Sequence, residues 1–172
     1  MRNYYLIFIV SSFFFACSDD PKPQPQLSVS EMQEALLNAN INAAKLESEQ
    51  IDVYANKLKL NFIKTGTGLR YVIYKSGLGT IFPKEDSKVA INYSVTLLDG
   101  TTCYSTEGIP EELIVGKSYA ESGLQEALTY MKEGDKAKVI IPSHLAHGLA
   151  GDLKKIPIRS TIIYDLEVIR VK

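Results

Sequence analysis

The segment from Lys88 to Leu97 constrains the fold most strongly, because apolar and polar residues alternate along its whole length. Its apolar positions are Val89, Ile91, Tyr93, Val95 and Leu97. A period of two is typical of a strand with one buried face. The pair Asp99–Gly100 follows almost at once, and this dipeptide is typical of a tight hairpin turn. The segment therefore predicts a strand of an antiparallel sheet.

The rest of the C-terminal part supports the same architecture. The segments "LRYVIY", "KAKVIIP" and "STIIYDLEVIRV" are rich in β-branched and aromatic residues, which favour strands. Between them, "SGLQEALTYMKEGD" predicts one helix that ends at Gly134 and has a single apolar face, formed by Leu124, Ala127, Leu128 and Met131. We therefore predict an α+β domain over residues 67–172, an antiparallel sheet with one short helix across it.

Residues 30–66 predict a helical extension before this domain. Ser30 and Gln33 can form a capping box, and no proline or glycine occurs before Gly66. A helical seam runs through Leu37, Ile41, Ala44, Ser48, Ile51, Ala55 and Leu58. The seam can pack on its own domain, or it can meet a partner helix or a second copy of the chain through residues 30–60. The pattern leaves these interpretations open.

The first residues predict a lipoprotein. Residues 1–16 combine a positive Arg2 with an apolar run that is too short to span a bilayer, as in a signal peptide. Cys17 follows directly, in the place where bacterial lipoproteins are cleaved and acylated. Residues 17–29 alternate proline with polar residues and predict an extended tether. We expect a membrane anchor through lipid on Cys17, most simply in the outer membrane, on its periplasmic face or at the cell surface. A plain secreted protein is the alternative.

Composition excludes several functions. The formal net charge is −1, so no overall positive field attracts nucleic acid, and no phosphate-binding glycine motif is present. If Cys17 carries lipid, Cys103 is the only remaining thiol, and an intramolecular disulfide cannot form. Stability must then come from the core.

Four segments in order resemble the FKBP-type peptidyl-prolyl isomerase family: "VAINYSVTLLDGTTCYST", "LIVGK", "SGLQEALTYMKEGDKAKVIIPSHLAHG" and "IPIRSTIIYDLEV". The resemblance covers residues 67–172. Within the family, the sequence of these segments is similar to a subgroup of bacterial lipoproteins. It implies an FKBP-like fold, in which a curved antiparallel sheet wraps on one short helix. It also implies rotation about the bond preceding proline in X–Pro segments of exported proteins. This reaction breaks no bond and requires no cofactor or metal.

The resemblance also implies which residues form the site. The catalytic positions are Tyr93, Tyr104, His147 and Tyr164. The substrate-binding positions are Cys103, Leu113, Ala120, Glu121, Leu124 and Ile156. In this family a main-chain N–H just before the helix holds a substrate carbonyl, and Glu121 occupies that place.

The chain departs from the family at several of these positions. Cys103–Tyr104 replaces a Phe–Asp pair, Leu124 replaces a tryptophan, and Ala120–Glu121 replaces a Val–Ile pair. His147 replaces a tyrosine whose hydroxyl donates to the bound peptide, and an imidazole N–H can also donate. His144 lies nearby, but two histidines alone are too few ligands for a metal site.

These departures leave two functions open. The first is a membrane-anchored prolyl isomerase of low activity that assists protein folding. The second is a binding module that kept the fold, lost most catalysis and serves as a subunit of an outer-membrane or secretion assembly.

Overall fold

The computed structural model describes residues 28–172. The predicted signal peptide over residues 1–16, the lipidation site Cys17 and nearly all of the tether lie outside the described residues. The chain divides into two units, residues 1–37 and residues 38–172. Among the described residues, no helix is long and apolar enough to cross a membrane.

Helix α1 (Val29–Lys57) begins in the first unit with a capping box that differs from the predicted one. The Glu31 carboxylate accepts hydrogen bonds from the Ser28 N–H (2.8 Å) and the Ser28 hydroxyl (2.7 Å). The Glu31 N–H donates to the Ser28 Oγ at 3.3 Å. The predicted pairing of Ser30 with Gln33 is therefore wrong by two residues. The capping box is formed by Ser28 and Glu31, which lie three positions apart and hydrogen-bond to each other's main chain.

Helix α1 ends at Lys57, whereas the sequence predicted a helical extension up to residue 66. Lys59 adopts a left-handed conformation with φ of 52°, which ends the helix without a glycine. Residues Ile63–Lys64 then form a short strand, β1, paired with the next strand. The expectation of a longer helix rested on the absence of glycine and proline, and a lysine in the left-handed region gives no such signal.

The remaining elements form a single antiparallel sheet, one short α-helix, α2 (Ser122–Thr129), and a 3₁₀ turn at Ser143–Leu145. The strands after β1 are β2 (Arg70–Lys75), β3 (Lys88–Leu97), β4 (Thr102–Ser105), β5 (Glu111–Ile114), β6 (Lys136–Ile141) and β7 (Ile162–Val171). The strand order is β1-β2-β6-β7-β3-β4. Strand β5 lies off this path and pairs with the part of β3 that β4 does not cover. This arrangement confirms the predicted α+β class and the antiparallel sheet.

Alternation along the central strands sends their side chains to two faces. On β6, Val139 and Ile141 belong to the main core under α2, whereas Ile140 points to the opposite face. Helix α2 lies very close to the sheet at Gly123, where an added Cβ would be 2.3 Å from the Ile141 Cγ2. Only glycine allows this approach of the helix to the sheet.

The C-terminal half of α1 covers the opposite face of the sheet. Ile51 and Ala55 are buried there against Ile140 and Ile163. The buried Arg70 guanidinium fixes the helix by donating to the Asp52 carboxylate at 2.8 Å and 3.0 Å. The predicted seam therefore packs on its own domain in this half, since these apolar residues lose their contact with water.

Candidate active site

A pocket of about 590 Å³ opens between the sheet and the start of α2. It is lined by eight of the residues that the sequence pointed to: Tyr93, Tyr104, Leu113, Ala120, Glu121, Leu124, His147 and Tyr164. These side chains come from β3, β4, β5, β7, the α2 start and the loop after β6. The fold thus brings together positions up to 71 residues apart in the sequence, the separation of Tyr93 and Tyr164.

Tyr93 and Tyr164 form the aromatic part of the pocket. Their strands are neighbours, and their ring centroids lie 5.3 Å apart with an interplanar angle of 56°. The Tyr93 hydroxyl donates to the Glu111 carboxylate at 2.7 Å, and the buried Tyr164 hydroxyl donates to Glu121 at 3.1 Å. Burial, together with these carboxylates, raises the pKa of both tyrosines, so both stay neutral donors.

Glu121 occupies the N-cap of α2, but its side chain does not cap the helix. Its carboxylate turns into the pocket instead, with Oε2 on Tyr164 and Oε1 3.0 Å from the His147 Nε2. The main-chain N–H of Glu121 has no hydrogen-bond acceptor among residues 28–172. An incoming carbonyl can therefore take this donor without breaking a protein hydrogen bond.

Helix α1 fixes the loop that carries His147. The Glu47 carboxylate accepts hydrogen bonds from the Ser143 N–H (2.7 Å), the Ser143 hydroxyl (2.9 Å) and the Thr161 hydroxyl (2.6 Å). The two histidines of this loop then diverge. His147 lines the pocket, whereas the exposed His144 lies outside it, with its Nε2 3.0 Å from the Thr67 carbonyl oxygen.

Tyr104 binds a carboxylate that belongs to another loop. Its hydroxyl donates to Asp152, whose other oxygen accepts the N–H groups of Lys154 (2.9 Å), Lys155 (2.9 Å) and Ile156 (2.7 Å). Burial alone would raise the pKa of the Asp152 carboxyl, but these hydrogen bonds hold it well below its usual range. The pocket wall therefore has an ionised carboxylate, Asp152, although this chain has Tyr104 at the position where the family has an aspartate.

Two predicted substrate-binding residues lie behind the wall of the pocket. Cys103 and Ile156 are both buried in the main core, and neither lines the pocket. The Cys103 thiol is 3.6 Å from the Lys155 carbonyl oxygen, so it supports the loop that holds Asp152. Burial raises the pKa of this thiol, which favours the uncharged form.

Sequence reasoning missed several polar residues of the site, and three of them organise it. Asp152 and Glu111 line the pocket, and Gln125 fixes its edge. The Gln125 amide accepts from the Gly116 N–H (2.7 Å) and donates to the Ala120 carbonyl oxygen (2.9 Å). The "GD" start of the Asp152 loop is a turn signal that could have been used. Nothing in the local sequence indicates the roles of the other two.

The described residues contain no arrangement suited to a metal. Across residues 28–172, no group of three or more His, Cys, Asp or Glu side chains could hold an ion. What the pocket does offer is an aromatic surface, a free main-chain donor and several carboxylates. These features suit a peptide better than a cofactor.

The family model for FKBP-type peptidyl-prolyl cis-trans isomerases matches residues 79–169, which is more than half of the chain. The chain therefore belongs to this family, and the resemblance found in the sequence is confirmed.

Particular relatives agree with this membership. The chain is 35% identical over 137 residues to the FKBP-type peptidyl-prolyl cis-trans isomerase FkpA of Escherichia coli (strain K12), covering 75% of this chain and 50% of that protein. It is 34% identical over 118 residues to the outer membrane protein MIP of Legionella longbeachae, covering 69% of this chain and 50% of that protein. The chain thus spans about half the length of these curated relatives.

A solved structure shows the same fold. The crystal structure of FkpA from Escherichia coli matches with a TM-score of 0.65 and 30% sequence identity. The match covers 86% of this chain and 74% of that one.

Proposed function

We propose that this protein is a peptidyl-prolyl cis-trans isomerase of low activity that acts on X–Pro segments of exported proteins. The main support is that eight predicted site residues line one pocket beside α2. Family membership supports the same reaction. The low activity is inferred from the departures at Tyr104, Glu121, Leu124 and His147, all of which line that pocket.

The chemistry requires only that the pocket favour the twisted amide over the planar one. Rotation about the prolyl bond is slow, taking tens to hundreds of seconds without a catalyst. Each tenfold acceleration needs about 1.4 kcal/mol of preferential binding to the transition state. Tyr93, Tyr164 and Leu124 would bind the proline ring away from water. The Glu121 N–H would hold a substrate carbonyl, and His147 would supply a second donor.

We also propose that the protein is anchored to the outer membrane of a bacterium. The support is the signal-peptide pattern that ends at Cys17 and the similarity to a relative named as an outer membrane protein. The proline-rich tether would then hold the domain away from the lipid. Lipid on Cys17 would be the attachment, because the apolar run before it is too short to span a bilayer.

Helix α1 supports a proposal that two copies of the chain associate. In the first unit, Met32, Leu36 and Leu37 are exposed, and in the second unit Ile41 and Leu46 are exposed. Of these, Leu37 and Ile41 belong to the same helical seam as Ile51 and Ala55, and an uncovered part of an apolar seam suits contact with another chain. A partner helix from another outer-membrane protein is the alternative occupant.

One observation favours the second candidate function, a binding module. These side-chain donors of the pocket are already engaged, because Tyr93 donates to Glu111, Tyr164 donates to Glu121, and His147 is 3.0 Å from Glu121. A bound peptide would have to displace these carboxylates or accept hydrogen bonds elsewhere. Such a pocket can bind a partner without turning over rapidly.

A prolyl isomerisation assay separates the two functions. We expect the full chain, purified in a mild detergent, to accelerate exchange in short X–Pro peptides, measured by NMR exchange spectroscopy. Tyr93→Ala should lower kcat/KM roughly tenfold because the ring that packs on proline is lost. His147→Ala should lower it about threefold because a donor is lost.

The chain offers matched controls for both variants. His144→Ala removes the other imidazole of the same loop, and Tyr74→Ala removes a half-exposed tyrosine outside the pocket, so both should keep the parent rate. A folded parent chain that does not accelerate exchange would reject the enzyme and support the binding module. An unchanged rate in His147→Ala would reject the donor role of that residue.

A further inference from the structure

We propose that the pocket selects X–Pro segments that carry a lysine or arginine next to the proline. This inference rests on the proposed function only in taking the pocket as the peptide site. It concerns which peptides bind there, and it holds for an isomerase and for a binding module alike.

The main observation is the pair of carboxylates that approach the aromatic part of the pocket, Glu111 from β5 and Glu121 from the α2 start. Each accepts a hydrogen bond from a neutral phenol, at 2.7 Å from Tyr93 and 3.1 Å from Tyr164. The phenols stabilise the negative charges but do not neutralise them. Glu111 and Glu121 are called the carboxylate pair below.

Burial strengthens the field of Glu121, whereas Glu111 on β5 is exposed to solvent. The Glu121 side chain is 15% exposed and Tyr164 is 4% exposed, so water screens the interior charge poorly. The pKa of Tyr93 and the pKa of Tyr164 are both raised. Burial is the largest cause, and the charges of Glu111 and Glu121 each contribute to both shifts. The two charges therefore act on the same volume, where a peptide side chain would lie.

Fixed cations around the pocket do not balance this pair. No lysine or arginine among residues 28–172 forms an ion pair with Glu111 or Glu121. Arg170 is engaged with Glu112 at 2.9 Å, and the Lys155 ammonium lies 5.1 Å from the centre of the Tyr104 ring. Lys154 lines the pocket close in sequence to Asp152, itself an ionised acid.

His147 is the one imidazole beside the carboxylate pair, 3.0 Å from Glu121. When protonated, it would offset part of the Glu121 charge. Glu111 would still have only a phenol as its partner. The pocket thus lacks a cation on the Tyr93 side, and a substrate can supply one.

A basic side chain fits this place chemically. An ammonium or guanidinium group can bind a carboxylate and also lie on the face of an aromatic ring such as Tyr93. Arginine can bind a carboxylate through two N–H groups at once. An acidic side chain in the same place would meet two like charges, and the pocket would reject it.

The test compares peptides that differ only in the charge next to proline. Two series, Ala-Xaa-Pro-Phe and Ala-Ala-Pro-Xaa, carry lysine, arginine, norleucine or glutamate at Xaa. Norleucine matches the lysine stem without its charge. We expect kcat/KM for lysine to exceed that for norleucine by about three- to tenfold at low salt in at least one series, with glutamate lowest. The ratio should approach one at about 1 M salt, where charges are screened within about 3 Å.

Variants of the carboxylate pair assign the preference to its residues. Glu111→Gln and Glu121→Gln should each reduce the ratio of lysine to norleucine, and the double variant should abolish it. Glu49→Gln removes the same charge from the exposed surface of α1 and should keep the full ratio. Salt dependence in the parent chain tests the proposal even if a pocket variant fails to fold.

Binding of the same peptides, followed by fluorescence anisotropy, separates this inference from the proposed function. Isomerisation without a preference for a basic residue in either series would overturn the inference and leave the isomerase standing. Tighter binding of lysine peptides without isomerisation would support the inference and reject the isomerase. Equal binding and equal rates for lysine and norleucine would overturn it.

Discussion

Glu121 joins three functions in one residue. Its main chain presents a free N–H to the pocket, and its carboxylate holds the Tyr164 hydroxyl and lies beside His147. Glu121 replaces an apolar residue of the family, and its carboxylate contacts two other residues of the pocket. Chemically, the loss of an apolar side chain from the pocket wall is offset by hydrogen bonds to two neighbours.

Asp152 gives the residue-scale prediction. Its pKa is held below the ordinary value of about 3.9, so the ionised form stabilises the folded state. That stability is fully present above about pH 4 and is lost as the pH falls towards the folded pKa. We expect Asp152→Asn to lower the Tm at pH 7 and to flatten the dependence of Tm on pH below about pH 4.

Thermal unfolding followed by circular dichroism between pH 7 and pH 2 measures this effect. Asp86→Asn is the matched control, because Asp86 is exposed and has a single ion pair with Lys117. It should change the profile little. Parallel profiles for Asp152→Asn and the parent chain would show that the Asp152 hydrogen bonds do not contribute to acid sensitivity.

At the scale of elements, local patterns predicted the sheet well and the ends of the helix poorly. The alternation from Lys88 to Leu97 gives β3 with its predicted bounds, because a half-buried strand must alternate. The start of α1 depended on Glu31, and its end on a left-handed Lys59. These are details of a few atoms that a pattern of residue types does not encode.

The residues of the site show the same difference between what residue patterns predict and what depends on atomic detail. Eight lining residues were predictable because the resemblance fixes their place on the strands, at the start of α2 and on the loop after β6. The hydrogen bond from Tyr104 to Asp152 was not, because these residues are 48 positions apart and meet only when the loop folds. Cys103 and Ile156 lie one layer deeper than expected, since both pack into the core.

Helix α1 provides a prediction with an internal comparison. Ile51 is fully buried against the sheet, whereas Ile41 on the same helix is 55% exposed. Ile51→Ala should lower the free energy of unfolding by about 2–5 kcal/mol because it leaves a cavity. Ile41→Ala should change it by less than about 0.5 kcal/mol at protein concentrations low enough to keep the chain monomeric, because this side chain is then in water.

Urea denaturation of the two variants and the parent chain measures both values under the same conditions. The comparison keeps the residue type and the helix constant, so burial is the variable. Similar losses in both variants would mean that the first half of the helix is covered in solution, which would point to contact with another chain.

At the scale of the whole molecule, the described residues leave α1 only partly covered. Its second half belongs to the domain, while Met32, Leu36, Leu37 and Ile41 remain exposed. A free-standing chain would keep this apolar surface in water, at a cost of about 25 cal/mol per Å². Association of two copies would remove it.

We therefore expect sedimentation velocity to give a dimer for the chain without residues 1–17. Leu37→Glu and Ile41→Glu should each shift the equilibrium to the monomer by placing a charge in the contact. Glu49→Gln should leave the dimer intact. A parent chain that remains a monomer at high micromolar concentration would reject the dimer and favour a different partner for this helix.

Cys103 has a practical consequence for kinetics. Once Cys17 is absent, it is the single thiol of the chain, and it is 1% exposed beneath the loop that holds Asp152. Separation of that loop from β4 would expose the thiol to a reagent, because the Cys103 Sγ lies 3.6 Å from the Lys155 carbonyl oxygen of the loop. The rate of labelling therefore measures how often the rim of the pocket opens, and a bound peptide that closes the rim should slow it. The protein thus carries its own probe of this opening, and no cysteine has to be introduced by mutation.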